Sequence, residues 1–130
     1  MGRDKGGLKS LFLVPEVKEQ LNLILAINPN YVPALDVYGM LYYELPGFLG
    51  GNLNLSEKYI RQAIEIDPHL TVTRVDLARV FIKRKRYDEA RSQLNRVLEE
   101  KEPTLYGDWY VKDRKDAAEL IADINKKQGR

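Results

Sequence analysis

The chain has 130 residues, of which 44% are hydrophobic and 31% are charged, and its formal net charge is +2. This composition is typical of one folded domain, and the small net charge argues against binding to nucleic acid or a membrane through a strong field. The absence of cysteine excludes disulfides and cysteine-ligated metal sites. No apolar run approaches the ~20 residues that span a bilayer, so we expect a cytoplasmic protein or, if a signal peptide has been removed, a periplasmic one.

The N-terminal half carries apolar residues at helical spacing. Residues 1–14 begin with a polar, glycine-rich stretch, and we expect them to form a poorly ordered or degenerate lead-in. Proline suits the first turn of a helix, which predicts a first helix from Pro15 to about Ile27. A second helix is predicted from about Val32 to Glu44 and a third, after a turn-rich stretch, from about Leu53 to Ile66.

The C-terminal half continues the pattern. Helices are predicted from Val72 to Lys83 and from Tyr87 to Glu100, and residues 101–110 are predicted to be irregular. Asp113 is expected to cap a last helix whose buried face contains Ala117, Leu120, Ile121 and Ile124. No stretch shows sustained period-two alternation. The sequence therefore predicts an all-α chain of about six helices.

Two stretches repeat the same arrangement of large and small residues. The separation of Pro29 from Pro68 is 39 residues, and so is that of Tyr38 from Leu77. In each first helix a large residue is followed by a small one and then by an aromatic one, and each second helix carries small residues among apolar ones. The members are Tyr38, Gly39, Tyr42, Ser56, Ile60 and Ala63 in one stretch, and Leu77, Ala78, Phe81, Ala90, Leu94 and Val97 in the other.

These residues resemble the tetratricopeptide repeat, a helix–turn–helix unit of about 34 residues. The five additional residues of the first stretch fall in its turn, at 45–49. The resemblance covers about residues 15–103, as about two and a half repeats, and residues 104–130 would be a linker and a C-terminal capping helix of the same domain. It implies an α-solenoid of stacked antiparallel helix pairs.

The resemblance also implies that the first helices line a concave groove that receives a peptide or a helix of a partner. The family's groove positions fall on Asp36, Met40, Tyr43, Glu44, Val75, Arg79, Ile82 and Lys83. The lysine/asparagine clamp with which some members hold a terminal carboxylate is missing, because Asp36, Met40 and Asp76 stand in its place. The implied function is a non-catalytic protein-interaction module whose partner the sequence does not identify.

An alternative function is a ligand-handling or scaffold accessory subunit of a bacterial transport or envelope complex. In that case the aromatic residues Phe48, Tyr106, Trp109 and Tyr110 would line an apolar site. The simpler interpretation, which we favour, is that these aromatic side chains cover the ends of the stack.

Residues that could support chemistry do not combine into a site. His69 is the only histidine and is interpreted as a turn residue, since a metal site or a general base needs further partners. The glycine-rich residues 47–52 lack the lysine and Ser/Thr of a phosphate-binding loop. The basic run Lys83–Arg86 is interpreted as solvated surface rather than as a nucleic-acid contact. We therefore predict no catalytic residues, no metal and no cofactor.

The predicted first helix has apolar residues on more than one face, with Leu23 and Ile27 turned away from the others. Such a face usually marks an interface. We expect it to be covered by residues 8–14 folding back, by residues beyond this sequence, or by a second copy, and self-association through this helix is the favoured expectation.

Overall fold

The structure, a computed structural model, describes the backbone of residues 2–130 and the side chains of residues 13–130. Within the described backbone there are helices and no β-strand, which confirms the all-α prediction. The elements are α1 (Gly2–Ile27), α2 (Val32–Glu44), a 3₁₀ turn (Gly47–Leu49), α3 (Leu53–Ile66), α4 (Thr71–Lys83), α5 (Tyr87–Leu98), α6 (Tyr106–Asp108), a π-helical segment (Trp109–Asp113) and α7 (Arg114–Lys127).

The bounds of α2 and α3 agree with the prediction, and those of α4 and α5 differ by one or two residues. The predicted start of α1 is wrong, because α1 begins at Gly2 and Pro15 lies inside it. Proline fixes φ near the helical value and removes only one backbone donor, so an exposed helix can continue through it at a cost. Met1 and the side chains of residues 2–12, which belong to the predicted lead-in, lie outside the described residues.

The prediction for residues 101–110 is also wrong in part, because helical backbone begins at Tyr106 and continues through the π-helical segment into α7. Asp113 lies inside this helical stretch, with φ −69° and ψ −36°, and makes no side-chain capping bond. Its carboxylate accepts a hydrogen bond from Thr71 Oγ1 instead, at 2.7 Å. A tertiary contact has therefore replaced the expected local one.

The helices pack as stacked pairs, α2 with α3 and α4 with α5, as expected for an α-solenoid. Small residues lie where the helices approach most closely. Ser56, Ala63, Ala78 and Ala90 have no exposed surface. The main core is continuous through both pairs and into α7, and it contains Ile60, Val75, Leu77, Val80, Phe81, Leu94, Val97, Ala117 and Ile124. The predicted buried face of the last helix is confirmed, with Leu120 and Ile121 packed at its edge.

A second, smaller core joins α1 to the first pair. Leu21 of α1 is buried with Ala34 and Tyr38 of α2. Tyr38 stacks on Tyr42 and on Tyr59, with ring centroids 5.4 and 4.8 Å apart. The Tyr38 hydroxyl donates to Asn22 Oδ1 of α1 at 3.0 Å. The aromatic residues that the repeat pattern singled out thus connect successive helices.

The turn between α2 and α3 is ordered by its backbone. Leu45 folds back and is buried, whereas Phe48 is 87% exposed. Gly50 has a φ of +100°, and a Cβ at Gly51 would lie 1.9 Å from the carbonyl oxygen of Leu45. The Asn52 side chain then caps α3 by accepting from the Leu55 N–H.

Candidate partner-binding groove

The first helices of the two pairs and the segment that follows them share one surface, which we call the first-helix face. It is formed by Asp36, Met40 and Tyr43 of α2, by Asp76, Arg79, Ile82 and Lys83 of α4, and by Lys112, Asp113 and Asp116 at the π-helical segment and the start of α7. Ion pairs and hydrogen bonds join α4 to both neighbours across this face. It contains most of the residues that the repeat pattern placed in a groove.

The predicted groove residues differ in accessibility. Met40, Tyr43 and Ile82 are partly buried and pack against the main core. Asp36 and Arg79 are half-buried, and Glu44 and Lys83 are exposed. Val75 is fully buried, so its prediction as a partner contact is wrong. The reason is that α4 is enclosed by helices on both sides, so the residues of α4 that remain accessible form a narrow strip.

Lys83 and Tyr43 connect α4 to the end of α2. The Lys83 ammonium donates to the backbone oxygen of Tyr43 at 2.8 Å and lies 4.4 Å from the centroid of the Tyr43 ring. The bond caps an otherwise unpaired carbonyl in the last turn of α2, and the ring contact adds a cation–π interaction. Lys83 is therefore held at the edge of the first-helix face.

Arg79 connects α4 to α7. Its Nη1 donates to Asp76 Oδ1 at 3.2 Å, and its Nη2 lies 3.8 Å from Asp116 Oδ2. The ammonium of Lys112 approaches the same oxygen of Asp116 at 2.9 Å. Positively and negatively charged side chains therefore alternate across the first-helix face. Each of its three cations, Arg79, Lys83 and Lys112, has an acceptor within the chain.

Asp36 and Asp76 are two carboxyl groups that face each other across the boundary between α2 and α4. The pKa of Asp36 is raised to about 9, mainly by burial and then by the hydrogen bond and the charge of Asp76, while the charge of Arg79 opposes the rise. Asp36 therefore holds its proton at neutral pH. The Asp36 Oδ1 atom is out of contact with solvent, and no donor of the described chain reaches it.

Asp113 lies at the other end of the first-helix face. Its side chain is 2% exposed, and burial raises its pKa while the hydrogen bond from Thr71 opposes that effect. Its Oδ1 atom also has no hydrogen-bond donor among the described residues, although the Lys112 ammonium is 3.8 Å away. The π-helical segment, which adds a residue to the turn, places this carboxylate against α4.

Lys112, Asp113 and Asp116 were not predicted to lie beside the groove, and Asp76 was predicted only as one of the residues that stand in place of the missing clamp. The family's groove positions were carried over from the two clear repeats only, and Asp113 was expected to cap the last helix. The signal for Asp76 was nevertheless present, since it stands 40 residues after Asp36, close to the repeat spacing.

The basic run 83–86 is solvated surface only in part, because Lys83 and Lys85 are exposed whereas Arg84 and Arg86 are half-buried. Glu57 of α3 accepts from three arginines: Arg84 at 3.0 Å, Arg86 at 2.7 Å and Arg61 at 2.8 Å. These side chains line an open cavity of about 540 Å³ on the side of the molecule formed by α3 and the turn before α5. Lys85 is the only residue of the run that is exposed and whose side chain makes no hydrogen bond to another described residue.

His69 is exposed, and its Nδ1 atom lies 2.9 Å from Glu100 Oε2, in agreement with its interpretation as a turn residue.

The four aromatic residues considered for a small-molecule site do not come together. Phe48 is 87% exposed in the α2–α3 turn. Tyr106, Trp109 and Tyr110 contact one another near the C-terminal end, where Arg114 lies 4.0 Å from the centroid of the Tyr110 ring. Trp109 donates to the Val97 carbonyl at 2.8 Å, which attaches this group to α5. The arrangement favours the interpretation that these three rings cover the end of the stack.

Comparison with known protein families assigns the repeat. Residues 50–106, which include α3, α4 and α5, match the sequence model of a family described as Tetratricopeptide repeat. These residues are assigned to the tetratricopeptide repeat family. Tetratricopeptide repeats mediate protein–protein interactions and are not catalytic. No curated protein and no solved structure matches the chain.

No helix of the described part is both long and apolar enough to cross a membrane. Among those same residues, no group of three or more His, Cys, Asp or Glu is placed to hold a metal ion.

Proposed function

We propose that this tetratricopeptide repeat protein binds a peptide or a helix of a protein partner on its first-helix face. The contacts would be made by Asp36, Met40, Tyr43, Glu44, Arg79, Ile82 and Lys83. These are the groove residues predicted from the repeat pattern, except for Val75, which is left out because it has no accessible surface.

The observation that carries the proposal is a group of apolar side chains that remain partly accessible beside charged ones. Met40, Tyr43 and Ile82 rest on the main core, so a partner would meet a firm surface rather than mobile side chains. Methionine and aromatic residues are over-represented in protein interfaces. Lys83 and Arg79 border this apolar group and are already oriented by their intramolecular bonds. A surface that is ordered before binding loses less entropy on association.

A site-specific cross-link tests the proposal. A photoreactive amino acid at residue 40 is expected to capture a partner segment, and the same amino acid at Val111, which is 74% exposed on the C-terminal segment, serves as the control. The captured segment is then synthesised and its affinity measured. We expect Tyr43→Ala to weaken binding by about tenfold or more, as for an aromatic residue central to an interface, and Tyr106→Ala to leave it unchanged. Equal affinities for the two variants would contradict the proposal.

A second proposal concerns α1. Leu13, Val17, Ile24 and Ile27 recur at helical spacing and are between 37% and 87% exposed, and Leu23 is 53% exposed. The chain does not fold back over them, because α1 is a single helix from Gly2 to Ile27. Burying each such side chain would contribute about 1.5–3 kcal/mol. We therefore propose that two copies associate through this face.

Sedimentation at micromolar concentration tests the self-association. We expect twice the mass of one chain for the wild type, and the mass of one chain for the double variant Ile24→Glu/Ile27→Glu. A double variant at exposed polar positions of the same helix, Glu16→Gln/Glu19→Gln, is the control and is expected to stay associated. A wild-type protein with the mass of one chain would contradict this second proposal.

A further inference from the structure

A cavity of about 280 Å³, which we call the turn cavity, lies between the end of α2, the α2–α3 turn and the end of α4. Its lining is mainly apolar and includes one cation: Tyr42, Tyr43, Leu45, Pro46, Leu53 and Lys83. Sites for small molecules commonly occupy about 300–1,000 Å³, so a cavity of this size suits a single side chain of a partner. Because Tyr43 and Lys83 belong to the first-helix face, the turn cavity continues that face at one end.

Residues 45–49, by which the first stretch exceeds the repeat of about 34 residues, form part of the wall of the turn cavity. Backbone hydrogen bonds hold this turn in place. The Gly51 N–H donates to the Pro46 carbonyl at 2.9 Å, and the Asn52 N–H donates to the Tyr42 carbonyl at 3.1 Å. The wall is therefore ordered before a partner binds, and it is a feature of this lengthened turn.

Lys83 differs from the other two cations of the first-helix face in having no carboxylate beside it. Arg79 and Lys112 each lie within 4 Å of at least one carboxylate. The Lys83 ammonium contacts the carbonyl and the ring of Tyr43, and no carboxylate of the described residues, Glu44 included, lies within 4 Å of it. An ammonium has three donors, so these two contacts leave at least one for a ligand.

We propose that the partner segment places the carboxylate of an aspartate or glutamate on Lys83 and an apolar side chain beside it in the turn cavity. The inference rests on the proposed function and adds the chemistry of the partner to it. The carboxylate would accept a hydrogen bond from the Lys83 ammonium, which the carbonyl and the ring of Tyr43 hold in position. The apolar side chain would contact Leu45, Pro46 and Leu53.

Selection from a library of random short peptides tests the inference. The peptides are displayed on phage through their C-terminal ends, so that only side chains supply carboxylates, and the wild-type protein is the bait. We expect the peptides whose binding Tyr43→Ala weakens to share an aspartate or glutamate close to an apolar residue. In synthetic peptides with an amidated C terminus, replacing that acidic residue by its amide is expected to weaken binding by about tenfold.

A double-mutant cycle tests whether Lys83 is the partner of that carboxylate. Lys83→Gln is expected to weaken binding of the acidic peptide by about tenfold and to leave binding of its amide form nearly unchanged, because the amide has no charge to lose. Lys85→Gln is the matched control, since Lys85 is an exposed lysine of the same basic run. Lys83 is exposed too, so both variants should fold, and their unfolding temperatures are measured alongside.

The turn cavity is tested at Gly47, which also lines it. A Cβ at Gly47 meets nothing within 4 Å, so Gly47→Leu is expected to fold and to narrow the cavity. We expect it to weaken binding of the selected peptides by about tenfold, because the apolar side chain loses its place. Gly107→Leu, at an equally open glycine of the C-terminal segment, is the control and is expected to bind as the wild type does.

The outcomes separate the inference from the proposed function. Peptides that depend on Tyr43 but share no acidic residue, or whose acidic residue shows no coupling to Lys83, would overturn the inference and leave the proposed function standing. Unchanged binding to Gly47→Leu would also overturn the inference alone. Peptides that are unaffected by Tyr43→Ala would overturn both.

Discussion

Gly39 of α2 and Ile60 of α3 are in such close contact that a Cβ at residue 39 would lie 2.5 Å from Ile60 Cγ1. The same Cβ would lie 3.1 Å from the backbone oxygen of Ser56. Ile60 has no exposed surface, so it has no room to move away. The glycine in the middle of α2 is thus explained by the approach of the second helix of the same repeat.

Gly39→Ala is expected to lower the free energy of unfolding by about 1–3 kcal/mol, the usual cost of overpacking a core. This loss is net of the gain of about 1 kcal/mol that alanine brings to a helix interior. Gly107→Ala is the matched control, because a Cβ there meets nothing within 4 Å, and it is expected to be neutral or stabilising. Urea unfolding of both variants measures the difference. Equal stability of the two would contradict the packing explanation.

Lys85 is a non-glycine residue in the left-handed region, with a φ of +61°. It follows the C-terminal end of α4, where the Arg86 N–H donates to the Phe81 carbonyl at 2.8 Å and the Lys85 N–H to the Ile82 carbonyl at 2.9 Å. This pair of bonds is the Schellman motif, whose left-handed position glycine usually occupies. Lys85→Gly is therefore expected to raise stability by about 0.5–1 kcal/mol.

The control for Lys85→Gly is Lys85→Ala, which removes the same charge and keeps the Cβ. It is expected to show no gain, because the strained backbone remains. Thermal unfolding of the wild type, Lys85→Gly and Lys85→Ala measures the three stabilities. An equal increase in stability for Lys85→Ala would show that the loss of charge, and not the backbone conformation, is responsible.

Asp36→Asn is expected to stabilise the protein by an amount that grows with pH. The pKa of Asp36 is raised in the folded protein from 3.8 to about 9. A raised pKa means that the folded state holds the proton more tightly, so its contribution is complete below pH 4 and is lost as pH rises through 9. Asparagine does not titrate, so the difference in unfolding temperature between variant and wild type should increase from pH 4 to pH 8. Asp123→Asn should show no such trend, and a constant difference for Asp36→Asn would contradict the burial of its carboxyl group.

Glu57→Gln is expected to lower the free energy of unfolding by about 1–3 kcal/mol, since a partly buried acceptor of three arginines loses its charge. The Glu57 side chain is 15% exposed, and two of its arginines lie over the Phe81 ring, at 4.6 Å for Arg86 and 5.4 Å for Arg61. Glu65→Gln, at an exposed position of the same helix, is the control and is expected to have little effect. Urea unfolding at low and at high salt measures both variants. A loss of unfolding free energy no larger than that of Glu65→Gln would show that solvent, and not Glu57, stabilises the three arginines.

The sequence by itself determined the class of fold, four of the helices and the repeat. The reason is that helical spacing, proline at the helix ends and the alternation of large and small residues are local patterns, and packing in this family follows from them. The small residues of the repeat pattern, Gly39, Ala63, Ala78 and Ala90, are all buried, as close packing of the helices requires.

The tertiary structure decided the groups whose role depends on distant partners. Asp113 was predicted to cap a helix, but its carboxylate instead accepts a hydrogen bond from Thr71, which lies 42 positions earlier in the chain. The basic run was predicted to face solvent, but Glu57 of another helix holds two of its arginines. Val75 occupies a groove position in the pattern, yet the helices on both sides of α4 enclose it. The raised pKa of Asp36 arises in the same way, because burial and the approach of the Asp76 charge are properties of the packed molecule and not of the residue itself.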